Sequence, residues 1–401
     1  MDKTNYKKES PKVIAYIKNN WAKTVRIGGK PKGLDIPYPY TTPCAEERYT
    51  CFFYWDTYFT NLGLLIDDIQ QAKNNIEALK FFVEQMGYIP NGNEQVMFNH
   101  SQPPLYAHAV RDYYEKTKDV GFVLEHYAWI KKEYEFWMRE RQTPIGLNQY
   151  NARPSEQELS VFYKEELAGR GVGYDGMPNC EVLHYFAESE SGWDFSNRYE
   201  GKALDFVQVD LNSILYENER ILRDFAKLLN NEDDEKYFTL ALNKRKALME
   251  KYLADENGVY HDYDYVNGVR SEKVTVACLL PYVFGVSDDK KACKATLAKL
   301  EFEYGVSAGE KTDGKVFQWG YPNCWPPLVF WTYKALVKAG LEEDAARIKT
   351  KYINVVDVNF EKSGKLWEKY NVATGEVSNT EYESPSMMGW TAGVYRYLKE
   401  V

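Results

Sequence analysis

Histidine is scarce in this 401-residue chain, and no two of its five (His100, His108, His126, His184, His261) stand at a metal-ligand spacing such as HxxxH. That argues against a zinc hydrolase, and no metal site is expected. Cysteine pairing is missing as well. Cys44, Cys51, Cys180, Cys278, Cys293 and Cys324 form no CxxC and no disulfide-rich spacing, so buried free thiols are expected. No stretch approaches a membrane span, and the opening MDKTNYKKESPKVIAYIKNN holds no apolar run of signal-peptide length. A cytoplasmic protein without membrane contact is expected on that ground. There is no surplus of positive charge: the formal net charge is −9, which disfavours nucleic acid and anionic lipid as partners. No low-complexity linker divides the sequence. A single domain over 1–401 is therefore expected, with 1–36 as a helical arm on or leading into it, in a monomer or weak homo-oligomer.

What the chain has in quantity is aromatic side chains: 33 Tyr, 19 Phe and 10 Trp, 15% of all residues. Most must fill a core, but rings beside polar groups also suit the apolar C–H faces of a sugar. Helical periodicity dominates. Leu211, Ile214, Leu215, Leu222, Phe225 and Leu229 form an i, i+3, i+4 stripe from about 210 to 230. After the polar Asn230–Asp234 turn, Tyr237, Leu240, Ala241, Ala247, Leu248 and Tyr252 resume it, which predicts an antiparallel helix pair. Further amphipathic stretches cover roughly 56–87, 104–118, 120–141, 272–284, 289–302, 325–340, 342–353 and 386–399. Loops are expected over 28–54, 88–104, 142–156, 170–200, 308–326 and 361–385. Alternation in Gly258–Gly268, closing on Asn-Gly, predicts a small β-hairpin. Ten to twelve helices alternating with long loops suggest an all-α toroid of helix hairpins, an (α/α)6 barrel with its loops at one end.

The segment ESGWDFSNRY (190–199) places Asp194 between Trp193 and Phe195, after a glycine that admits close approach of the backbone to a ligand. Aromatic walls exclude water and raise a carboxyl pKa, as a proton donor near neutral pH requires. Taken alone, the aspartate better suits a cap on the following turn through Ser196 or Asn197. Four other loops repeat the mixture of carboxylate, Arg, Asn or Gln and Trp. They are RYTCFFYWDTYF (48–59), IPNGN (89–93) with NHSQPP (99–104), QWGYPNCWPP (318–327), and WEKYNV (367–372) with Glu381-Tyr382 and Gly389-Trp390-Thr391. Each has an ordinary explanation as a cap, turn or surface charge. Their recurrence between helices is harder to dismiss.

Taken in order, these segments resemble the trehalase family of α,α-trehalose glucohydrolases. PYPYTTPCAEERYTCFFYWDTYF (37–59) is similar to its first signature and QWGYPNCWPP to its second. The other segments follow in family order, so the resemblance covers about residues 37–397. It implies an (α/α)6 barrel, no cofactor and a small saccharide as partner. It also implies Asp194 as general acid and Glu368 as general base of an inverting hydrolysis, with trehalose as the first-choice substrate. Arg48, Trp55, Asp56, Asn91, Ser101, Gln102, Arg153, Gly192 and Glu381 match sugar-contacting positions. His100, in the same segment as Ser101 and Gln102, joins the substrate-binding set, and Trp319 would help wall the pocket. The chain departs from the family pattern in four places. His100 stands for Arg before Ser-Gln-Pro-Pro, Ser155 for an acid after Arg-Pro, and Gly320 for Asp after Gln-Trp. The glycine-rich segment before Glu381 is shortened.

Losing a partner of a buried sugar hydroxyl costs about 1–3 kcal/mol, so these departures bear on which sugar is cleaved. Alternatives are another (α/α)6 exo-glycosidase acting on α-linked glucosyl or mannosyl substrates, including mannosylglycerate. Two further ones are a sugar isomerase or epimerase, for which paired histidines are wanting, and a catalytically dead sugar binder, against which both carboxylates argue.

Overall fold

The computed structural model describes residues 10–28, 33–45, 49–312, 314 and 316–401. Six inner helices close into a ring. Tyr54–Asp67 packs on Tyr106–Thr117, which packs on Val209–Leu228, and that on the short Leu280–Val283 with its preceding 3-10 turn Val276–Leu279. Pro326–Lys338 and Gly389–Glu400 follow, and the last returns to Tyr54–Asp67. Outside them lie Ser10–Thr24, Ile69–Met86, Val120–Glu140, Glu232–Tyr252, Lys290–Leu300 and Glu342–Ser363. This is the (α/α)6 barrel.

Sequence pattern decides which layer a helix joins. Residues 54–64 of the first inner helix are buried without a break, as suits a helix apolar on every side. Glu232–Tyr252 buries only Phe238, Leu242, Arg245 and Met249, a single stripe at i, i+4, i+7 and i+11 that fits an outer position. Side-chain caps fix the starts of outer helices: Asp68 accepts from the Gln71 N–H, Asp119 from Phe122 and Asn231 from Asp234.

The ring closes at a tight seam. A Cβ on Gly393 would stand 1.9 Å from the Phe59 carbonyl oxygen, and one on Gly63 would stand 3.0 Å from Gly393 Cα, so the two helices meet backbone to backbone. Beyond the glycines, the Arg396 guanidinium grips Asp67 at 2.8 and 2.9 Å, 329 positions away in sequence.

Several details differ from expectation. The 56–87 stretch is two helices, because Asp68 leaves helical geometry (φ −151°) to cap the second. The 342–353 helix runs on to Ser363, and 272–284 is only a 3-10 turn, Val276–Leu279, running into one short helix, Leu280–Val283. The Asn267-Gly268 turn does close a hairpin, but its strands are Tyr263–Asp264 and Val269–Arg270, joined on the other side by Phe206–Val207. The loop expected over 170–200 contains the helix Asn179–Glu188. With Glu156–Phe162 and the π-turn Tyr163–Leu167, it forms an excursion with a small core of its own, including Leu159, Leu167, Val182, Phe186 and Phe195. All six cysteines are free thiols; five are buried, but Cys180 is exposed on this excursion. Among the described residues no helix is long and apolar enough to cross a membrane.

Candidate active site

At the N-terminal ends of five inner helices lies a chamber of about 110 Å³. Trp55 and Asp56 reach it from the first turn of Tyr54–Asp67, Asn91 and Gln102 from the loop before Tyr106–Thr117, and Gly192 and Asp194 from the segment before Val209–Leu228. Gln318, Trp319 and Trp325 precede Pro326–Lys338, and Glu368 precedes Gly389–Glu400, whose Trp390 completes the wall. The rings lock one another. Trp319 stacks on Trp325 at 4.0 Å and on Trp193 at 5.7 Å, and Trp55 leans on it at 5.5 Å. Gly192 has φ +74°, and a Cβ there would meet the Trp55 ring at 2.7 Å. The carboxyl-bearing turn therefore needs glycine for both backbone and space.

Buried ion pairs hold these walls. Arg141 grips Glu190 through two bonds of 2.7 and 2.8 Å, just ahead of the Asp194 turn. Arg198 grips Asp262 through two bonds of 2.7 and 2.8 Å and Asp210 at 2.5 Å, with its guanidinium 4.9 Å above Trp193. Gln102 Oε1 accepts from the Trp55 N–H at 3.0 Å.

Three carboxyls line this chamber. Burial, opposed by the Arg170 cation, pushes Asp194 up to about 7. Burial, followed by the charges of Glu368 and Asp194, pushes Asp56 up to about 8. Glu368 accepts at Oε2 from Lys369 Nζ (2.8 Å) and from the Tyr382 hydroxyl (2.6 Å). Among the described residues, Asp194 Oδ1, Gln318 Oε1 and Trp319 Nε1 are buried without a hydrogen-bond partner, polar atoms suited to a hydroxyl-rich ligand.

A second chamber of about 760 Å³ opens outward and shares Tyr49, Phe53, Asn91, Asp194 and Gln318 with the first. Asp194 thus stands in the doorway between them. The excursion supplies one wall: Ser155, Glu158, Glu165, Glu166 and Arg170. Arg170 lies 4.3 Å above the Phe195 ring and pairs with Glu166 and, at 3.6 Å, with Glu381. His100 also lines this chamber, its ring nitrogens 3.0 Å from Asn91 Nδ2 and 2.6 Å from Asn99 Oδ1. Burial drives it down to about 4, so it is neutral at pH 7. Ser155 is the N-cap of Glu156–Phe162, in a reciprocal capping box with Glu158.

The structure brings most of the expected residues together. Trp55, Asp56, Asn91, Gln102, Gly192, Asp194, Trp319 and Glu368 line the inner chamber, while His100 and Glu381 line the outer one. Ser101 lies behind the wall, its hydroxyl donating to the Ile89 carbonyl and its N–H to Glu190. Arg153 turns outward to Glu140, with two thirds of its side chain exposed (66%). Arg48 falls outside the described residues. Sequence reasoning gave no role to Lys369, Tyr382, Arg170 or Gln318. Lys369 and Tyr382 stood in quoted motifs, but only the fold shows both reaching the same oxygen of Glu368.

The match to the Trehalase family spans residues 6–401. A trehalase of Dictyostelium discoideum is 27% identical over 433 aligned positions, covering 95% of this chain and 72% of its own length. One of Apis mellifera is 28% identical over 397, covering 90% of this chain and 62% of its own length. Among solved structures, the neutral trehalase Nth1 of Saccharomyces cerevisiae superposes with a TM-score of 0.76 at 22% identity, over 96% of this chain and 79% of that one. A GH63 mannosylglycerate hydrolase of Thermus thermophilus does so with 0.68 at 16% identity, over 97% and 99%. These two likenesses bear on the ring of helices. The family match, running through every loop that feeds the two chambers, bears on the chemistry: the chain belongs to the Trehalase family and is a glycoside hydrolase.

Proposed function

We propose that the protein hydrolyses α,α-trehalose by a single inverting displacement, with Asp194 as general acid and Glu368 as general base. The observation that carries this reading is the place of Asp194. Its carboxyl, raised to about 7 by burial, stands in the doorway between a tight aromatic chamber and a wider polar one. One glucosyl ring occupies the inner chamber against Trp55 and Trp319, with Asp56, Asn91 and Gln102 on its hydroxyls. The second ring lies in the outer chamber, beside His100 and Glu381. The bridging oxygen then falls at the doorway. Asp194 gives its proton to that oxygen as the C1–O bond breaks, and Glu368 takes a proton from the water that attacks the other face of C1. Solvent exchange afterwards restores both groups. Inversion yields one β-glucose, from the attacked ring, and one α-glucose; retention would yield two α-glucoses.

Because the acid must keep its proton, kcat/KM is expected to fall as pH rises through about 7. Asp194→Asn should lower kcat by roughly 1,000-fold or more while leaving the thermal unfolding midpoint within a few degrees. Proton NMR of the first products, before mutarotation, reads the anomers. Two α-glucoses, or an Asp194→Asn enzyme at the wild-type rate, would sink the assignment.

A second reading keeps the chemistry and changes the leaving group. It draws on the outer chamber, where a neutral His100 and a helix-capping Ser155 stand at family positions for Arg and an acid. A panel of trehalose, kojibiose, nigerose, maltose, sucrose and mannosylglycerate separates the two by relative kcat/KM.

A further inference from the structure

The inner chamber poses a charge problem that its carboxyls alone do not solve. Asp56, Asp194 and Glu368 share one aromatic-walled space, and buried acids this close do not all ionise. The inverting reaction needs a fixed division of labour, one acid keeping its proton and one giving it up. The cations within reach are unevenly placed. Arg170, facing Asp194, is drawn aside by Glu166 and Glu381. Asp56 has no ion pair among the described residues; Arg48 lies outside them. Of the three acids, Glu368 alone has a cation in direct hydrogen-bond contact among the described residues.

That cation is Lys369, whose side chain is fully buried. Its Nζ stands 2.8 Å from Glu368 Oε2, 3.5 Å from the centre of the Tyr382 ring and 5.0 Å from that of Trp325. Two aromatic faces thus hold an ammonium with no bulk water around it. The Tyr382 hydroxyl donates to the same oxygen, while Glu368 Oε1 accepts no bond from the described residues. Among the described residues, the other ionisable groups around this pair include Asp56, which feels Glu368, and Tyr49 and Glu381, both felt by Tyr382.

We propose that Lys369 is the positioning residue that settles the charge of the chamber: its ammonium holds the negative charge on Glu368 and occupies Oε2, leaving Oε1 to take the proton of the attacking water. Asp56 and Asp194 are then the groups that stay protonated. This rests on the assignment of Glu368 as base. A lysine that served packing alone would affect stability and turnover without moving the pH dependence of the rate.

The test is the full pH profile of kcat and kcat/KM on trehalose for K369M, K369R and Y382F, beside thermal unfolding of each. K369M is expected to lower kcat by about 100-fold, to change KM by less than about threefold, and to move the acidic limb to higher pH by about one unit. K369R, which keeps the charge, should leave the acidic limb within about 0.3 unit of the wild type. Y382F removes one of the two donors to Oε2 and should move the limb upward by about half a unit. Should K369M fail to fold, Y382F decides the matter. An unmoved acidic limb in K369M or, failing that, in Y382F overturns the proposal, as does a K369R limb displaced as far as that of K369M. Failure of the underlying reading is distinct: it shows as two α-glucoses from the wild type, whatever the lysine variants do.

Discussion

The two chambers that meet at Asp194 are built by different parts of the molecule. The inner one is made from the ends of ring helices, with stacked indoles, a glycine that admits no side chain and buried ion pairs behind the wall. The outer one leans on an excursion with its own small core, and its wall pairs two carboxylates, Glu166 and Glu381, with one arginine, Arg170. The departures from the family pattern follow this division. His100 and Ser155 line the outer chamber; Gly320 adjoins Trp319 without lining either space; the shortened 373–380 segment leads to Glu381, also on the outer side. On the proposed reading, proton transfer falls to parts built on the ring, and recognition of the leaving group to parts outside it that can change at little cost to the fold.

The contrast can be broken from either side. The largest effect is expected inside. Gly192→Ala pushes a methyl group into Trp55 at a positive φ, and should lower kcat/KM by about 100-fold and the unfolding midpoint by several degrees. Steady-state kinetics and a thermal melt check it; near-wild-type values would mean that the inner chamber is less fixed than its geometry requires. A smaller effect is expected outside. His100→Arg should lower KM for trehalose by about fivefold with kcat within twofold, since it restores a donor beside the leaving sugar. A change in kcat alone would place His100 with the proton-transfer groups instead.

The smallest effect is a gain in stability. The folded protein holds the Asp56 proton up to about 8, whereas the ordinary value is 3.8. Between those values the fold binds a proton that the unfolded chain releases, so stability declines as pH rises from about 4 through about 8. Asp56→Asn removes that decline. Its unfolding midpoint should exceed the wild type's by a few degrees at pH 9 and converge with it near pH 4, as calorimetry would record.

The helical ring was legible because its helices carry apolar residues at helical spacing, as in the Leu211–Leu229 stripe, a pattern that burial imposes directly on composition. The catalytic pair's candidates were legible through motifs with fixed order. What escaped was whatever depends on distant contacts. Asp68 interrupts a continuous apolar period only by turning its side chain back as a cap. The excursion reads as loop because Gly171, Gly173 and Gly176 crowd it, and its helices are short. Ser101 and Arg153 sit in matching motifs, yet one points into the frame and the other to solvent. Lys369 follows a glutamate, and such a pair on paper looks like surface charge. Only the fold turns it inward.

The glycine seam at Gly63 and Gly393 also bears on biogenesis. Trp55 and Asp56 leave the ribosome early, while Glu368, Trp390 and the helix that locks against Tyr54–Asp67 leave far later. Until they do, a nascent chain carries an incomplete inner chamber and an unsealed apolar flank, and closing contacts so remote in sequence slows folding. Truncation before residue 389 removes the closing helix itself, so a late nonsense mutation is expected to be as damaging as an early one.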